Sequence, residues 1–517
     1  MANQFTSSDL PYINVKDFGA KGDGVTDDTS AIQNAINSLG STNSTIYLPY
    51  GTYKIKNTLT LSDSKSMIGF QSVLVGIGTN NGILTGNNNY FEGIEFRNFN
   101  FAIWANGKTS VSVQRCRFIS ISGVAIYYYG SDSSFVKNSY FYNIAKDSLN
   151  IDNNAYNIAI EGNEFNNPSL YGGYSSAQIT AHVNVLNGSD IRVINNKVFN
   201  NGGQGIIFGV NKAGSTNCKA IGNIVEGNGQ EGITCFGGSS FLTSNNIIIG
   251  NTCRNNRFHQ IEIWQSNKCI VEGNIVEENA TTGNIGAITL YQSYLSKVVN
   301  NTILNAANNG IGIVRGSDKC IVSNNHILET NLGNFSNNYQ GNGILIDSNG
   351  GNDPTNITIT NNTIDGISPN LSTKFGIYST NNVDKGNLIN NNRSFGYKAT
   401  VHSFALSSCY NVKSAPPTSG AWQILDTVGN IKLTPGSYAG WICTTDGIAN
   451  NVPWTAKTAM SLGKQVNANG NVYQCTVPGT TGTIAPSHTS GTATDGTVTW
   501  KRLNSLAVFK PYGSISS

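Results

Sequence analysis

Two glutamates and a histidine near the middle of the chain have the residue types of an acid–base site. Glu262 follows His259 by three positions, and Glu231 precedes His259 by one period of a repeat described below. A pair of carboxyl groups can break a glycosidic bond when one protonates the leaving oxygen and the other activates water. Apolar surroundings raise the pKa of the acid and keep it protonated. We expect Glu262 to act as the acid, Glu231 as the base and His259 as a hydrogen-bond partner.

These residues can meet only if the chain brings distant segments together, and its internal repeats predict how. Short apolar segments recur every 23 to 28 residues, led by Ile206, Ile233, Ile261, Ile288 and Ile311. Asparagines recur out of phase with them, at Asn196, Asn223, Asn251, Asn274, Asn301 and Asn325. A period in the twenties with strands too short for helices indicates a solenoid. Asn suits left-handed corners and can stack into an amide ladder. We predict an all-β fold, a right-handed single-stranded parallel β-helix.

An alignment of the coils on the first inward apolar residue, usually isoleucine, predicts one outward face. The third residue after it is, in successive coils, Tyr127, Asp152, His182, Gly209, Phe236, Trp264, Tyr291, Val314 and Asp347. Like positions in neighbouring coils stack about 4.8 Å apart. Phe236, Trp264 and Tyr291 therefore form an outward aromatic ladder, which suits flat sugar faces or a neighbouring subunit. Further along this face, Arg315 and Gln292 could bind an acidic or hydroxyl-rich sugar.

The same alignment fixes the expected geometry of the acid–base residues. Glu231 and His259 become stacked neighbours, and the backbones of Glu231 and Glu262 lie about 11 Å apart. Side chains that lean together would bring the carboxyl groups into the range of roughly 6.5–9.5 Å used by inverting glycosidases. The alternative is that Glu231 and His259 form a solvated pair at a turn.

Asp152 and His182 are a second candidate pair, because the alignment makes them adjacent in the outward column. Such a pair could abstract a proton in a lyase, or could form a simple surface hydrogen bond.

The N-terminal segment is predicted to close the open end of the coil. Residues 13–55 contain V-K-D-F-G-A-K-G-D-G-V-T-D-D-T-x-A-I-Q and then L-P-x-G-T-Y. Thr26 or Asp27 is expected to cap an amphipathic helix, whose apolar face carries Ile32, Ala35, Ile36 and Leu39. A helix placed there would cover unpaired strand edges. The motif resembles the opening of the pectate-lyase-like β-helix superfamily, which includes glycan-cleaving tailspikes of bacteriophages, and the weaker Asn repeat extends this similarity to about residue 395.

We expect four segments: an N-terminal cap at 1–60, the β-helix at 61–400, a small β module at 401–450 and a C-terminal β module at 451–517. The last two resemble small modules at the C-termini of phage tail fibres and tailspikes. The final module also resembles carbohydrate-binding modules. It is therefore expected to serve trimerisation or carbohydrate binding.

Composition excludes several classes of partner. Only 12% of residues are charged and the net charge is +3 without a basic cluster, which argues against nucleic acid. No apolar run reaches the length of a membrane span, so membrane insertion is not expected. The nine cysteines lack CxxC pairs and are predicted to be buried free thiols in a chain made in a reducing host cytoplasm. No dense Asp cluster for Ca²⁺ occurs on the coils, so neither a metal nor another cofactor is expected.

The resemblance, together with the aromatic–carboxylate face, implies a phage tailspike depolymerase that cleaves host capsular or surface polysaccharide by glycoside hydrolysis. It further implies an endo-acting homotrimer, attached to the virion tail or baseplate and acting at the bacterial surface. Two alternatives stay open. One is a lyase acting on a uronate-containing glycan, and the other is a receptor spike that binds glycan without cleaving it.

Overall fold

The computed structural model describes residues 12–40, 45–78, 80–167, 181–210, 214–238, 243–278, 285–366, 371, 374–380, 386–401, 412–422, 424–430 and 432–516. The chain forms two compact units, Met1–His402 and Ser403–Ser517. No helix in these ranges is long and apolar enough to cross a membrane.

The first unit is a parallel β-helix with three strands in most coils, and each strand position builds its own sheet. The first sheet contains 14 strands: Leu59–Thr60, Ile83–Leu84, Phe101–Asn106, Val124–Tyr129, Leu149–Asp152, Ala181–Val185, Gln204–Phe208, Ile233–Phe236, Ile261–Trp264, Gly286–Tyr291, Asn309–Val314, Ile344–Asp347, Phe375–Ser379 and Ala399–Val401. This sheet carries the predicted acid–base residues.

The other two strand positions form the second and third sheets. The second sheet contains Ile13–Asn14, Thr45–Leu48, Ser66–Gly76, Tyr90–Arg97, Ser112–Gln114, Phe135–Lys137, Ala159–Glu161, Arg192–Ile194, Lys219–Ile221, Ile247–Ile249, Ile270–Glu272, Lys297–Val299, Ile321–Ser323, Thr358–Thr360 and Leu388–Asn390. The third contains Asp23–Asp27, Gly51–Ile55, Arg117–Ile119, Tyr140–Tyr142, Glu164–Asn166, Lys197–Phe199, Ile224–Glu226, Thr252–Arg254, Ile275–Glu277, Thr302–Leu304, His326–Leu328, Thr363–Asp365 and Arg393–Phe395. The long strands Ser66–Gly76 and Tyr90–Arg97 belong to both. Ala155–Tyr156 and Gly188–Ser189 form a separate parallel pair.

The predicted isoleucine repeat sets the register of the first sheet. Ile206 pairs with Ile233, Ile233 with Ile261, Ile261 with Ile288 and Ile288 with Ile311. All five side chains are fully buried in the coil interior. Because this register aligns residues more than twenty positions apart, side chains from different coils meet as neighbours across the strands.

A buried asparagine ladder holds the corner between the second and third sheets. At Asn251 the side-chain oxygen accepts from the backbone N–H and the amide of Asn223, both at 2.9 Å. The Asn251 amide donates to the Ala220 carbonyl and to the side-chain oxygen of Asn274, again at 2.9 Å. The residue before each ladder asparagine has a left-handed backbone, as at Asn195 (φ 53°) and Gly250 (φ 64°). Asparagine thus forms both the predicted amide ladder and predicted left-handed corners, but at two adjacent positions.

Each coil turns sharply where the first-sheet strand begins. A Cβ at Gly205, just before Ile206, would lie 2.6 Å from the Val225 side chain, so this position also faces the interior. Consequently the residue two places before the lead isoleucine and the residue one place after it lie on the same outer face. His259 and Glu262 occupy these two positions in one coil.

The N-terminal helix, Thr29–Asn37, covers the first edge of the first sheet. Its own residues Ile32, Ala35 and Ile36 form the buried face. Gln33 donates to the Thr60 carbonyl at 3.1 Å and accepts from the Thr60 N–H at 2.9 Å, which satisfies an edge that would otherwise be unpaired. A 3₁₀ helix, Val15–Phe18, precedes it.

The predicted cap residue of this helix was wrong by one or two positions. The N-cap is Asp28, whose carboxylate accepts from the Lys21 and Gly22 N–H groups instead of from the helix. Asp27, which precedes the N-cap, accepts from the Thr29 N–H at 3.0 Å and so binds one N–H group of the first turn. Tertiary bonds to the preceding loop thus displace the expected local cap.

The second unit is built from small, mainly antiparallel sheets. One contains Val412–Lys413, Thr427–Asn430, Tyr438–Thr445 and Val508–Ser514, and another contains Gln465–Ala468, Asn471–Val477, Thr492–Asp495 and Val498–Ser505. Ala421–Trp422 pairs with Gly447–Ile448, and Ala459–Met460 with Gly479–Thr480. The last strand returns to pair with Tyr438–Thr445, so residues from both predicted modules share one sheet.

The eight cysteines within the described residues are buried free thiols. Cys409, the ninth, lies outside the described residues. Small apolar thiols fill interior positions of the coil, as Cys235 does between Phe208 and Ile263.

The ladder predicts a large, localised cost for losing one amide. Replacing Asn251 by Ala removes the acceptor of two Asn223 donors and the donor to Ala220, all buried. We expect the free energy of unfolding to fall by about 3 kcal/mol, measured by urea denaturation followed by far-ultraviolet circular dichroism. The exposed strand residue Asn390→Ala is the control and should change it by less than about 0.5 kcal/mol. Equal effects for the two variants would show that the ladder does not stabilise the coil.

Candidate active site

Glu262 sits in the second position of the strand Ile261–Trp264, on the outer face of the first sheet. Thr234 and Thr289 are its neighbours in the adjoining coils. Although it points outward, the residue is only 3% exposed. A carboxyl group covered in this way is stable only if it is protonated or paired.

His259 faces Glu262 from the turn before the same strand. Its Nε2 lies 3.5 Å from Glu262 Oε1. Its Nδ1 lies 2.7 Å from the Gly286 carbonyl, which can only accept, so Nδ1 carries the proton. Thr289 Oγ1 lies 3.0 Å from the same nitrogen. Burial lowers the pKa of His259 to about 4. The imidazole is therefore neutral near pH 7 and presents an Nε2 lone pair to Glu262.

The two glutamates of the site titrate unequally. Burial raises the pKa of Glu262 well above its usual value, and repulsion from Glu231 raises it further. Burial also raises the pKa of Glu231, while its own backbone N–H and a hydrogen bond from Gln204 oppose the rise. Glu231 also remains partly open to solvent. Burial thus raises both pKa values, and the additional repulsion is assigned to Glu262, the more completely covered of the two carboxyl groups.

A raised pKa at Glu262 suits the acid role. The structure brings Glu231, His259 and Glu262 together on one face, in adjacent coils. The sequence did not indicate the groups that tune them, namely Gln204, Gly286 and Thr289. These residues occupy the same two outward positions in neighbouring coils, and an alignment that included the turn would have found them.

The aromatic ladder is present, but its ring faces are already in contact. Trp264 stacks on Tyr291 with centroids 3.7 Å apart and an interplanar angle of 7°. Phe236 stacks on Trp264 at 5.7 Å and 13°. The guanidinium of Arg315 lies 5.3 Å from the Tyr291 ring centroid, which covers the far face. The ring faces of Trp264 and Tyr291 are therefore occupied by each other, and the predicted role of the ladder in sugar binding stays a prediction. Before Phe236 the column carries Gly209, which has no side chain to cover that ring.

The two predicted polar contacts lie at the end of this ladder. Arg315 donates from Nε to the Asn349 carbonyl at 2.9 Å, a bond that does not use its two terminal nitrogens. Gln292 is exposed and its side-chain oxygen accepts from Gln265 at 2.6 Å. Both side chains are thus available on the outer face of the coil, while their roles in binding remain predictions.

A cavity of about 360 Å³ opens beside His259 on the C-terminal side. Most of its lining residues carry a polar side-chain group, and the set is His259, Ile285, Asn308, Asn309, Tyr339, Gln340, Leu345, Asp347 and Asn349. Asp347 stands in the outward column identified from the sequence and Asn309 begins the strand Asn309–Val314, but Tyr339 and Asn349 come from loops whose folding no periodicity reveals. The cavity gives a ligand access to the side of the site where His259 and Glu262 meet.

The proposed pairing of Asp152 with His182 is wrong. Strand register places Val183 level with Leu149 and Ile206, so His182 directly precedes the lead residue of its strand and Asp152 does not adjoin it. His182 is fully buried and bonds to Ser148 Oγ at 3.0 Å and the Phe199 carbonyl at 2.7 Å. The coil of Tyr127 was likewise misaligned by two residues, because Ile126 is its lead residue. Extra residues before Ala181 break the period and caused the first error.

The described residues contain no group of three or more His, Cys, Asp or Glu side chains that could hold a metal ion.

Two family models match the chain in succession. One, described as rhamnogalacturonase A/epimerase, pectate lyase-like, matches residues 12–257. The other, described as a right handed beta helix region, matches residues 208–394. Residues 12–394 are thus similar to pectate-lyase-like and right-handed β-helix proteins. The predicted superfamily and the predicted right-handed β-helix are both confirmed.

Individual proteins resemble the chain over short stretches. Alginate lyase 7 of Azotobacter vinelandii is 48% identical over 66 residues, which cover 13% of this chain and 8% of that protein. The preneck appendage protein of Bacillus phage PZA is 38% identical over 72 residues, covering 14% and 7%. The chain spans a tenth or less of the length of each curated relative it matches.

A wider structural likeness links the chain to pre-mature gene product 12 of bacteriophage phi29. The TM-score is 0.52 and the identity 14%, and the match covers 75% of this chain and 56% of that one. At this identity the likeness concerns the fold alone.

The raised pKa of Glu262 predicts a pH-dependent stability. A carboxyl whose folded pKa lies above its unfolded pKa stabilises the fold fully at low pH and loses that contribution as pH rises. As pH rises above the usual pKa of a glutamate, we expect wild-type stability to fall more steeply than that of Glu262→Gln, by at most about 1.4 kcal/mol per pH unit. Urea denaturation at pH 5, 6 and 7 measures this, with Glu272→Gln on the second sheet as the control. Parallel pH profiles for wild type and Glu262→Gln would contradict a protonated Glu262.

Proposed function

We propose that this chain is the depolymerase of a bacteriophage tailspike, an endo-acting glycoside hydrolase that cleaves a bacterial capsular or surface polysaccharide. The observation that carries the proposal is the carboxyl pair beside His259, with Glu262 covered and Glu231 partly open in the adjoining coil, where burial raises the pKa of Glu262 well above its usual value. An inverting hydrolase needs one group of each kind.

In the proposed reaction Glu262 transfers its proton to the glycosidic oxygen as the bond to the anomeric carbon breaks. Glu231 takes a proton from the water that attacks the opposite side of that carbon. One carboxyl loses a proton while the other gains one, so the pair carries a single negative charge before and after. Exchange of protons with solvent then restores the starting state. His259 Nε2 accepts from protonated Glu262 in the resting site and releases it when the leaving oxygen approaches.

The proposed location follows from the kind of proteins that share parts of this chain. A phage preneck appendage protein shares a short stretch of sequence, and a phage gene product shares the fold. We therefore place the chain on the virion tail or baseplate, as a homotrimer made in the host cytoplasm and acting at the cell surface. Light scattering of the purified protein tests the assembly, and a monomeric mass would overturn the trimer.

A uronate lyase is the second candidate, and the state of His259 favours it. A neutral imidazole with a free Nε2 lone pair could abstract a proton next to a uronate carboxylate. The local identity to an alginate lyase points the same way. Lyase products carry a new carbon–carbon double bond that absorbs ultraviolet light, whereas hydrolysis products do not.

The catalytic assignment can be tested on a panel of polysaccharides. The panel contains capsular polysaccharides purified from several bacteria, with alginate and polygalacturonate as uronate substrates. Wild type should release reducing ends from at least one neutral member without ultraviolet absorbance. Glu262→Gln and Glu231→Gln should each lower kcat by about 10²–10⁴-fold, while Glu272→Gln should not change it.

Three results would count against the proposal. Ultraviolet-absorbing products from a uronate substrate would establish the lyase. Binding to a polysaccharide without any new reducing ends would favour a receptor spike. Full activity of Glu262→Gln with an unchanged unfolding midpoint would remove Glu262 as the acid.

A further inference from the structure

A track of buried polar atoms leads toward the acid pair along the outer face of the first sheet. Strand register stacks Trp104, Tyr127, Asn150, Asn184, Ile207, Thr234 and Glu262 in successive coils. Among the described residues, Trp104 Nε1, Asn150 Oδ1, Asn184 Oδ1 and Thr234 Oγ1 are buried and have no protein hydrogen-bond partner. Gln204 Oε1, beside this column, is also buried and has no protein hydrogen-bond partner.

Such atoms are rare in folded proteins, since each unmade bond costs free energy. Their concentration in one column therefore calls for a common explanation. Trp104, Tyr127 and Asn150 are only half-buried, so the face is open to solvent at these three coils. Asn184, at 1% exposure, lies deeper.

Asp147 fixes the direction in which the two asparagine amides point. Its Oδ2 accepts from Asn150 Nδ2 at 2.6 Å and from Asn184 Nδ2 at 3.1 Å. Its Oδ1 accepts from the Ala181 N–H at 2.9 Å. Because each amide nitrogen donates one N–H to the same carboxyl, both amide oxygens are turned away from it, and these oxygens are the atoms without a protein partner. This arrangement accepts hydrogen bonds and offers few.

An acceptor-lined site discriminates between kinds of sugar. Hydroxyl groups can donate to Asn150 Oδ1 and Asn184 Oδ1, and one of their oxygens can accept from Trp104 Nε1. A sugar carboxylate has no proton to donate and would meet two oxygens backed by Asp147, a repulsive contact. Lys146, near Asp147, is exposed at the corner of the coil, so water weakens its attraction for an anion.

We infer that Trp104, Tyr127, Asn150 and Asn184 form a binding subsite for a neutral, hydroxyl-rich sugar residue of the glycan chain. Asn184 stands three strand spacings before Glu262 in the column, about 14 Å away. An oligosaccharide segment, not a single sugar, is needed to reach both. The inference rests on the proposed glycan-cleaving function. It adds that the glycan also binds on this side of the acid pair, through its neutral sugar residues.

Binding without cleavage tests the subsite separately from the reaction. Affinity electrophoresis of Glu262→Gln in gels containing each neutral capsular polysaccharide of the panel gives the dissociation constant. Asn150→Leu and Asn184→Leu keep side-chain size but remove the acceptor, and Trp104→Phe removes the donor. Each should weaken binding about fivefold. Asn166→Leu, on the third sheet, is the matched control and should bind like its parent.

A chemically matched probe tests the selectivity. Oxidising the primary hydroxyls of the bound polysaccharide to carboxylates should weaken its binding at least about tenfold. Asp147→Asn should reduce this discrimination, because the neighbouring amides are then free to turn their N–H groups outward. Thermal unfolding of every variant identifies any that fail to fold, and the Trp104→Phe and oxidised-probe results do not depend on the asparagine variants.

The outcomes separate the two proposals. Weaker binding by the subsite variants together with no cleavage by wild type would support the subsite and reject the hydrolase. Cleavage by wild type with unchanged binding in all three variants would support the hydrolase and overturn the subsite. Failure of every neutral polysaccharide to retard the protein, or equal binding of the oxidised probe, would also overturn it.

Discussion

The hydrogen-bond register between successive coils is the constraint on which the rest of the structure depends. Strands about 4.8 Å apart place Thr234, Glu262 and Thr289 in one line, although they are distant in the chain. A shift of one residue in this register would turn the line inward and bury the site in the core. The interior isoleucines and the asparagine ladder both oppose such a shift, since each has a partner only in the observed register.

The same stacking produces the unusual chemistry of the site. A coil of short strands exposes few charged side chains, and the outer face between Asn184 and Leu345 is almost closed to water. A carboxyl placed on that face loses most of its hydration, and a second carboxyl nearby makes ionisation of both costly. His259 does not relieve this charge, because the carbonyl of Gly286 holds its proton on the far nitrogen. Burial and the neighbouring carboxyl therefore both raise the pKa of Glu262 and favour its protonated form.

Much of this could be predicted from the sequence, because successive coils repeat one pattern of residues. The spacing of Ile206, Ile233 and Ile261 determines both the fold and the proximity of Glu231, His259 and Glu262. The prediction failed where the period is interrupted. Extra residues before Ala181 hid the true lead residue, Val183, and so misplaced His182. The direction of ring stacking and the turn before each strand were also missed, since they depend on three-dimensional packing. The Asp147–Asn150–Asn184 cluster was overlooked for that reason.

The central claim is that the coil keeps one carboxyl of the pair, Glu262, protonated at neutral pH. Isotope-edited infrared spectroscopy of protein labelled with ¹³C-carboxyl glutamate, as the difference between wild type and Glu262→Gln at pH 7, measures this directly. We expect the difference to contain the carbonyl band of a protonated carboxylic acid. A difference that contains only the bands of an ionised carboxylate would contradict the account.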